Sequence, residues 1–210
     1  MTEECNLTHN FFNGLKRFRF PFNERDIPLN GIYVLFEKGE KAHDCERIVR
    51  IGTHTGNNQL RSRLYQHFLN ENKDRSIFRK NIGRALLNKW KDPFLIQWET
   101  DLTTKKAKET NRDKIDFVKQ KEIEKKVTKY MQENFSFGVF EVADKKKRLE
   151  IESKIISTVS LCNECNCSKD WLGLYSPKEK IRGSGLWLVN ELYKKPFSKE
   201  EITKLSLLLS

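Results

Sequence analysis

Residues 31–40 read GIYVLFEKGE and residues 47–56 read RIVRIGTHTG, two runs rich in Ile, Val, Leu and Phe at 31–37 and 47–52. Alternating or clustered apolar residues of this kind suit strands. The polar connection EKGEKAHDCE between them points to an antiparallel hairpin with a long turn. From about Asn58 the period becomes helical: Leu60, Leu64 and Phe68 form one apolar stripe, and Arg63, His67 and Asn70 share the adjacent face. A tyrosine, a glycine-terminated strand and an Arg/His helix face can thus meet around one phosphate group.

The flanks extend this α+β pattern. Residues 11–28, FFNGLKRFRFPFNERDIP, are aromatic and basic with Pro21 and Pro28, and read as an irregular arm. A second helix is expected from Ser76, its cap, to Trp90, with Ile77, Ile82, Ala85, Leu86 and Trp90 inward. Residues 101–134 hold ten Lys or Arg and seven Asp or Glu, and read as an inserted, solvated helical excursion. SFGVFEV (136–142) is strand-like, and Asp144–Ser160 is helical with Leu149, Ile151, Ile155, Ile156 and Val159 apolar. The remainder is turn-rich, with a short helix at 198–209. The division expected is an N-terminal arm (1–30), a core domain (31–160) carrying the insertion 101–134, and a C-terminal extension (161–210). The order points to a small α/β sandwich on an antiparallel sheet.

Charge narrows the partner. Across 210 residues, 40 Lys and Arg face 29 Asp and Glu, a net +11 with a pI of about 9.4. A basic excess of this size suits nucleic acid. Residues 61–91 carry nine cations against Glu71 and Asp74, a balance of +7, and are the expected phosphate-facing region. The acidic start MTEECNLTHNFF has no apolar core and does not read as a secretory signal. No run reaches the roughly 20 apolar residues of a membrane span. Five cysteines, an odd number, fit a reducing cytoplasm, and the expectation is a soluble cytoplasmic protein.

Gly31-Ile32-Tyr33 followed by Arg50-Ile51-Gly52 resembles the paired signature of the GIY-YIG nucleases, over roughly 31–92 and 136–160. SIFRKNIGRALL and the tail SKDWLGLYSP…IRGSGLW also resemble stretches of a bacterial subgroup of these nucleases. The resemblance implies a three-stranded antiparallel sheet flanked by helices, and a metal-dependent endonuclease using Mg²⁺ or Mn²⁺. Its substrate would be double-stranded DNA, in a restriction-type or repair-type role. It further implies that Tyr33 assists activation of water; a free phenol titrates near pH 10, so nearby positive charge is needed. Arg63 and His67 match the family's phosphate-contacting arginine and the His or Tyr four residues on; Arg61 competes but points about 160° away from Arg63. Glu152, three residues before Ile155-Ile156, matches the metal-binding glutamate, with Glu150 as the runner-up.

Two positions depart from the pattern. Arg50 stands where the second motif has tyrosine, and either Arg50 or His54 would supply the replacement contact. The family's asparagine has three candidates, Asn163, Asn166 and Asp170. Arg61, Arg79 and Lys80 are further candidate substrate-binding residues. The altered motif keeps two other readings open, a nucleic-acid-binding module impaired in catalysis and an RNA-directed nuclease. Homodimerisation is open as well.

Each residue also has a plainer reading. Tyr33 alone would be a half-buried strand tyrosine, Arg63 and His67 an exposed helix face, and Glu152 a surface carboxylate. Phe18, Phe20 and Phe22 among Arg17, Arg19 and Arg25 resemble a stacking surface, but core anchors explain them more simply. Cys162, Cys165 and Cys167 form C-x2-C-x-C, which could begin a structural zinc site. No nearby histidine completes it in sequence, though Cys5 or Cys45 could approach; a reduced, partly buried cluster is the simpler reading.

Overall fold

A computed structural model describes residues 2–207. The expected helix at 198–209 is seen as far as Leu207, and its last two positions lie outside the described residues. The elements in order are α1 (Thr2–Asn13), β1 (Arg17–Arg19), β2 (Gly31–Ala42), β3 (Cys45–Gly52), α2 (Leu60–Phe68), α3 (Ile77–Lys89), α4 (Leu95–Trp98), α5 (Lys105–Asn111), α6 (Phe117–Asn134), β4 (Phe135–Glu141), α7 (Lys145–Ser160), α8 (Glu179–Ser184) and α9 (Lys199–Leu207). The strands form one antiparallel sheet in the order β1-β4-β2-β3.

Three of these strands are the expected ones. The fourth, β1, comes from the segment read as an irregular arm, where Phe18 pairs with Phe137 of β4 and stacks on it at 5.2 Å. Phe18 and Phe22 there anchor the core, as their plainer reading had it, while Phe20 is half-buried and outside it. The hairpin also differs from expectation. β2 and β3 run through the polar connection and turn on two residues, His43 and Asp44, at φ 50° and 61°. Positive φ at both centres is the twist-matched two-residue turn, and Asp and His tolerate it better than branched residues do.

Helices cover both faces of the sheet. Ile32, Val34 and Phe36 of β2 pack with Cys5 and Phe12 of α1, Ile155 of α7 and Ile202 of α9. Tyr33 and Leu35 point the other way, into a core with α2, α3, α6, Trp171 and Trp187. Period-two alternation along β2 therefore builds two cores from one strand. α3 starts at its Ser76 cap, whose Oγ accepts the Arg79 N–H at 3.2 Å. Its buried side includes Phe78 and Leu87, while Ile77 and Trp90, expected inward, are exposed. α6 is no solvated excursion: Ile123, Val127 and Met131 are fully buried. Leu149 of α7 is exposed, and the other four apolar positions read there are buried.

Three of the nine cations of 61–91 are consumed inside the fold. Arg79 is fully buried, with Nε and Nη2 on Glu124 Oε2 at 3.1 and 2.7 Å and Nη1 on the His67 carbonyl at 2.9 Å. Lys73, also buried, donates to Asp74 and the Thr100 carbonyl. Arg84 grips both oxygens of Glu99. The expectation that this whole stretch faces phosphate is corrected, because Arg79 neutralises the buried Glu124, Lys73 is buried on Asp74 and the Thr100 carbonyl, and Arg84 is held by the more exposed Glu99. Arg63, Arg75, Lys89 and Lys91 keep solvent access.

The C-terminal extension is tied to the sheet through buried carboxylates. Glu37 of β2 accepts from Trp171 Nε1 (2.7 Å), Trp187 Nε1 (2.9 Å) and the Tyr130 hydroxyl (2.5 Å). Burial still pushes its carboxyl up, since three neutral donors do not replace water around a full charge. Glu40 accepts from Arg47 and from Ser168, and Arg47 reaches the Gly185 carbonyl. Removing one member of a buried ion pair strands its partner, at a cost of about 3–5 kcal/mol. Arg79→Ala is therefore expected to lose about that much in urea unfolding, and Arg79→Met with Glu124→Leu to recover most of it; equal losses in both variants would contradict the pairing.

Candidate active site

The site begins with a glycine. Tyr33 and Gly52 are directly paired across β2 and β3. A Cβ on Gly52 would lie 2.3 Å from the Tyr33 hydroxyl oxygen and 2.4 Å from its ring. Hydrogen at position 52 is what lets the phenol lie across β3. From there its hydroxyl meets His67 Nε2 of α2 at 2.7 Å, and His67 Nδ1 meets Ser76 Oγ at 2.7 Å. Ser76 thus caps α3 and seats the imidazole at once.

A β-bulge aims the arginine. Leu35 pairs with Arg50, but Phe36 pairs with Ile48, so Val49 is the extra residue. Val49 enters the core and Arg50 turns to the same side as Tyr33. The Trp187 N–H donates to the Val49 carbonyl at 2.8 Å, and the Trp187 carbonyl accepts Arg50 Nη1 at 2.5 Å. Arg50 lies 4.8 Å over the Phe78 ring, and its buried Nε has no partner.

These side chains open on one cavity of about 480 Å³, lined by Tyr33, Arg50, Arg63, Glu152, Asn81 and Asn190 among others. Burial pushes the Glu152 carboxyl up, against the pull of Arg50, the Thr53 backbone and Arg63. Burial in turn draws the Arg50 guanidinium down, against the Tyr33 oxygen. His67 sits well below the usual imidazole range, first through burial and then through Arg50, Arg63 and Arg79. That direction favours the uncharged imidazole at neutral pH. Thr53 and Arg63 also line an adjoining polar cavity of about 310 Å³ with His54, Gln59 and Gln66.

A family model described as GIY-YIG domain matches residues 7–209. The chain belongs to the GIY-YIG family. No curated protein and no solved structure gives a significant match. GIY-YIG domains are typically those of nucleases, so the family implies nucleic acid as the partner and a divalent metal as the cofactor. Among the described residues no helix is long and apolar enough to cross a membrane.

Set against the GIY-YIG pattern, Tyr33, Arg50, Arg63 and Glu152 come together at the cavity, and His67 stands directly behind Tyr33. Glu150, the runner-up, is exposed and paired with Lys154 at 2.8 Å. His54 serves the backbone: Nδ1 donates to the Gly56 carbonyl at 2.7 Å, and Nε2 accepts the Gly31 N–H at 3.3 Å. The remaining expected substrate contacts are directed elsewhere. Arg79 is sealed on Glu124, Lys80 donates to the Glu99 carbonyl, and Arg61 donates to the Ile27 carbonyl on another face. Asn163, Asn166 and Asp170 are exposed and do not line the cavity. The asparagines at the cavity are Asn81 and Asn190, and neither carried a local signal beyond its place in a turn-rich or helical run.

Two measurements follow. Gly52→Ala should cost about 1–3 kcal/mol, the usual range for overpacking, and should perturb the Tyr33 ring resonances; an unchanged thermal midpoint would refute the contact. For His67, a depressed folded pKa means that the unfolded chain binds the proton first as pH falls. Stability should therefore be fully present above about pH 6.5 and decline as pH drops below it. In His67→Gln that decline should be smaller, read from thermal midpoints across pH 5–8 (roughly the imidazole range); identical profiles would contradict the neutral, buried imidazole.

Proposed function

We propose that this protein is a metal-dependent endonuclease that hydrolyses phosphodiester bonds in double-stranded DNA. The observation that carries the reading is the convergence of Tyr33, Arg50, Arg63 and Glu152 on one cavity, with the unpartnered Arg50 Nε at its wall. Each group matches one requirement of the reaction: a proton acceptor for water, cations for the phosphate, and a carboxylate for the metal.

Tyr33 is the proton acceptor. His67, held neutral, donates Nε2–H to the phenolic oxygen while the Ser76 hydroxyl donates to Nδ1. This arrangement holds the phenolic oxygen in place, and Arg50 and Arg63 neutralise the phosphate. Arg50 takes over the place of a second phenol by offering a fixed guanidinium, held by the Trp187 carbonyl.

Glu152 suits a divalent ion. Burial disfavours its charged form, so a cation beside it would relieve that cost, and a single carboxylate with waters and phosphate oxygens is an ordinary Mg²⁺ site. Mg²⁺ or Mn²⁺ would be held there, in a cavity that Asn190 also lines. The bound ion would supply charge compensation at the phosphate oxygens.

Supercoiled plasmid incubated with Mg²⁺ or Mn²⁺ tests the reading. Wild type should nick or linearise it, Glu152→Ala should fall to background while keeping DNA binding, and Arg63→Ala should lose about 10²–10³-fold. Tight, salt-dependent binding with no cleavage of DNA or RNA in either metal would instead favour a binding module. Cleavage of RNA alone would move the substrate class.

A further inference from the structure

A second cluster of chemically active side chains lies apart from the cavity. Cys5 on α1, His43 in the β2–β3 turn, and Cys162 and Cys165 just beyond α7 converge from segments up to 160 residues apart. All the cysteines are free. Cys5 Sγ and Cys165 Sγ are 3.3 Å apart, too far for a disulfide. His43 Nε2 stands 3.2 Å from Cys165 Sγ and 3.5 Å from Cys162 Sγ.

These spacings suit ligands of one metal ion. Zn–S of about 2.3 Å and Zn–N of about 2.0–2.1 Å in a tetrahedron give S···S near 3.8 Å and S···N near 3.5 Å. The observed separations fall within about 0.5 Å of those edges, a shift that side-chain rotation supplies. His9 also lies in the cluster, with its ligand atom within 4.8 Å of those of Cys5, His43 and Cys165. Its two nitrogens are already used: Nδ1 on the Cys5 carbonyl at 3.0 Å, and Nε2 accepting the Ile48 N–H at 3.1 Å. Ligation through Nε2 would orphan a buried amide. Cys162 carries no such obligation, and with Cys165 it makes a C-x2-C chelate of ordinary zinc spacing.

We propose that Cys5, His43, Cys162 and Cys165 hold one structural Zn²⁺, with His9 outside the ligand set and occupied by the Ile48 amide. The fourth thiol of this region, Cys167, stays outside the set. Four protein ligands leave no open position, so the ion is structural and not catalytic. It fastens α1 and the end of α7 to the turn of the hairpin whose other end carries Tyr33 and Gly52. This site stands independently of the nuclease reading.

Metal analysis of wild type purified under reducing conditions, without chelator, should find close to one zinc per chain. Exchange with Co²⁺ should give the visible bands of a tetrahedral thiolate site. Cys162→Ser should lower the thiolate charge-transfer intensity by about one third, as expected on losing one of three thiolates, while His9→Gln should leave that intensity unchanged. Wild type with neither zinc nor Co²⁺ uptake would overturn the site, even if Cys165→Ser fails to fold. Loss of Co²⁺ binding in His9→Gln with an unchanged Cys162→Ser spectrum would overturn the ligand set.

Discussion

The Tyr33 phenol occupies space that any side chain at position 52 would fill. The candidate site follows from that one steric fact. With the ring laid across β3, its hydroxyl is within reach of His67, and His67 is within reach of the residue that starts α3. Sheet, α2 and α3 are thereby joined through three hydrogen-bonding side chains and one missing Cβ. A signature that looks like two short motifs is physically one contact, a tyrosine and the glycine that makes room for it.

The second constraint comes from the opposite end of the chain. Trp171 and Trp187 deliver their indole N–H groups to Glu37, a buried carboxylate that otherwise has only the Tyr130 hydroxyl. Docking Trp187 there places its backbone against Val49 and Arg50. The bulge at Val49 turns Arg50 toward the cavity, and the tail fixes it. A residue that departs from the family signature is thus held by a segment outside the core motif, which makes the tail part of the site and not an appendage.

Much of this was legible in sequence wherever local rules and tertiary structure agree. The strands at 31–37 and 47–52 and the Ser76 cap follow from period and capping, whereas Glu152 was singled out only by the resemblance to the family. Where long-range pairing decides, the sequence was silent or misleading. Arg79 and Lys73 look like surface cations until Glu124 and the Thr100 carbonyl are brought beside them. Residues 117–134 look solvated because the charges on three sides outnumber the Ile123, Val127 and Met131 stripe that is buried. His43 and Cys5 carry no signal of each other, since only the hairpin turn and the packing of α1 bring them together. Asn190 was missed for the same reason: its position depends on where Trp187 docks.

On the proposed function, a phosphate of the nucleic acid enters the cavity between Arg50, Arg63 and Glu152. The structure of the protein bound to a short DNA duplex with Ca²⁺ in place of Mg²⁺ would show this. One phosphate should lie within hydrogen-bond reach of Arg50 Nε and Arg63, with the ion on Glu152. Duplex seated on another face, with that cavity empty, would contradict it.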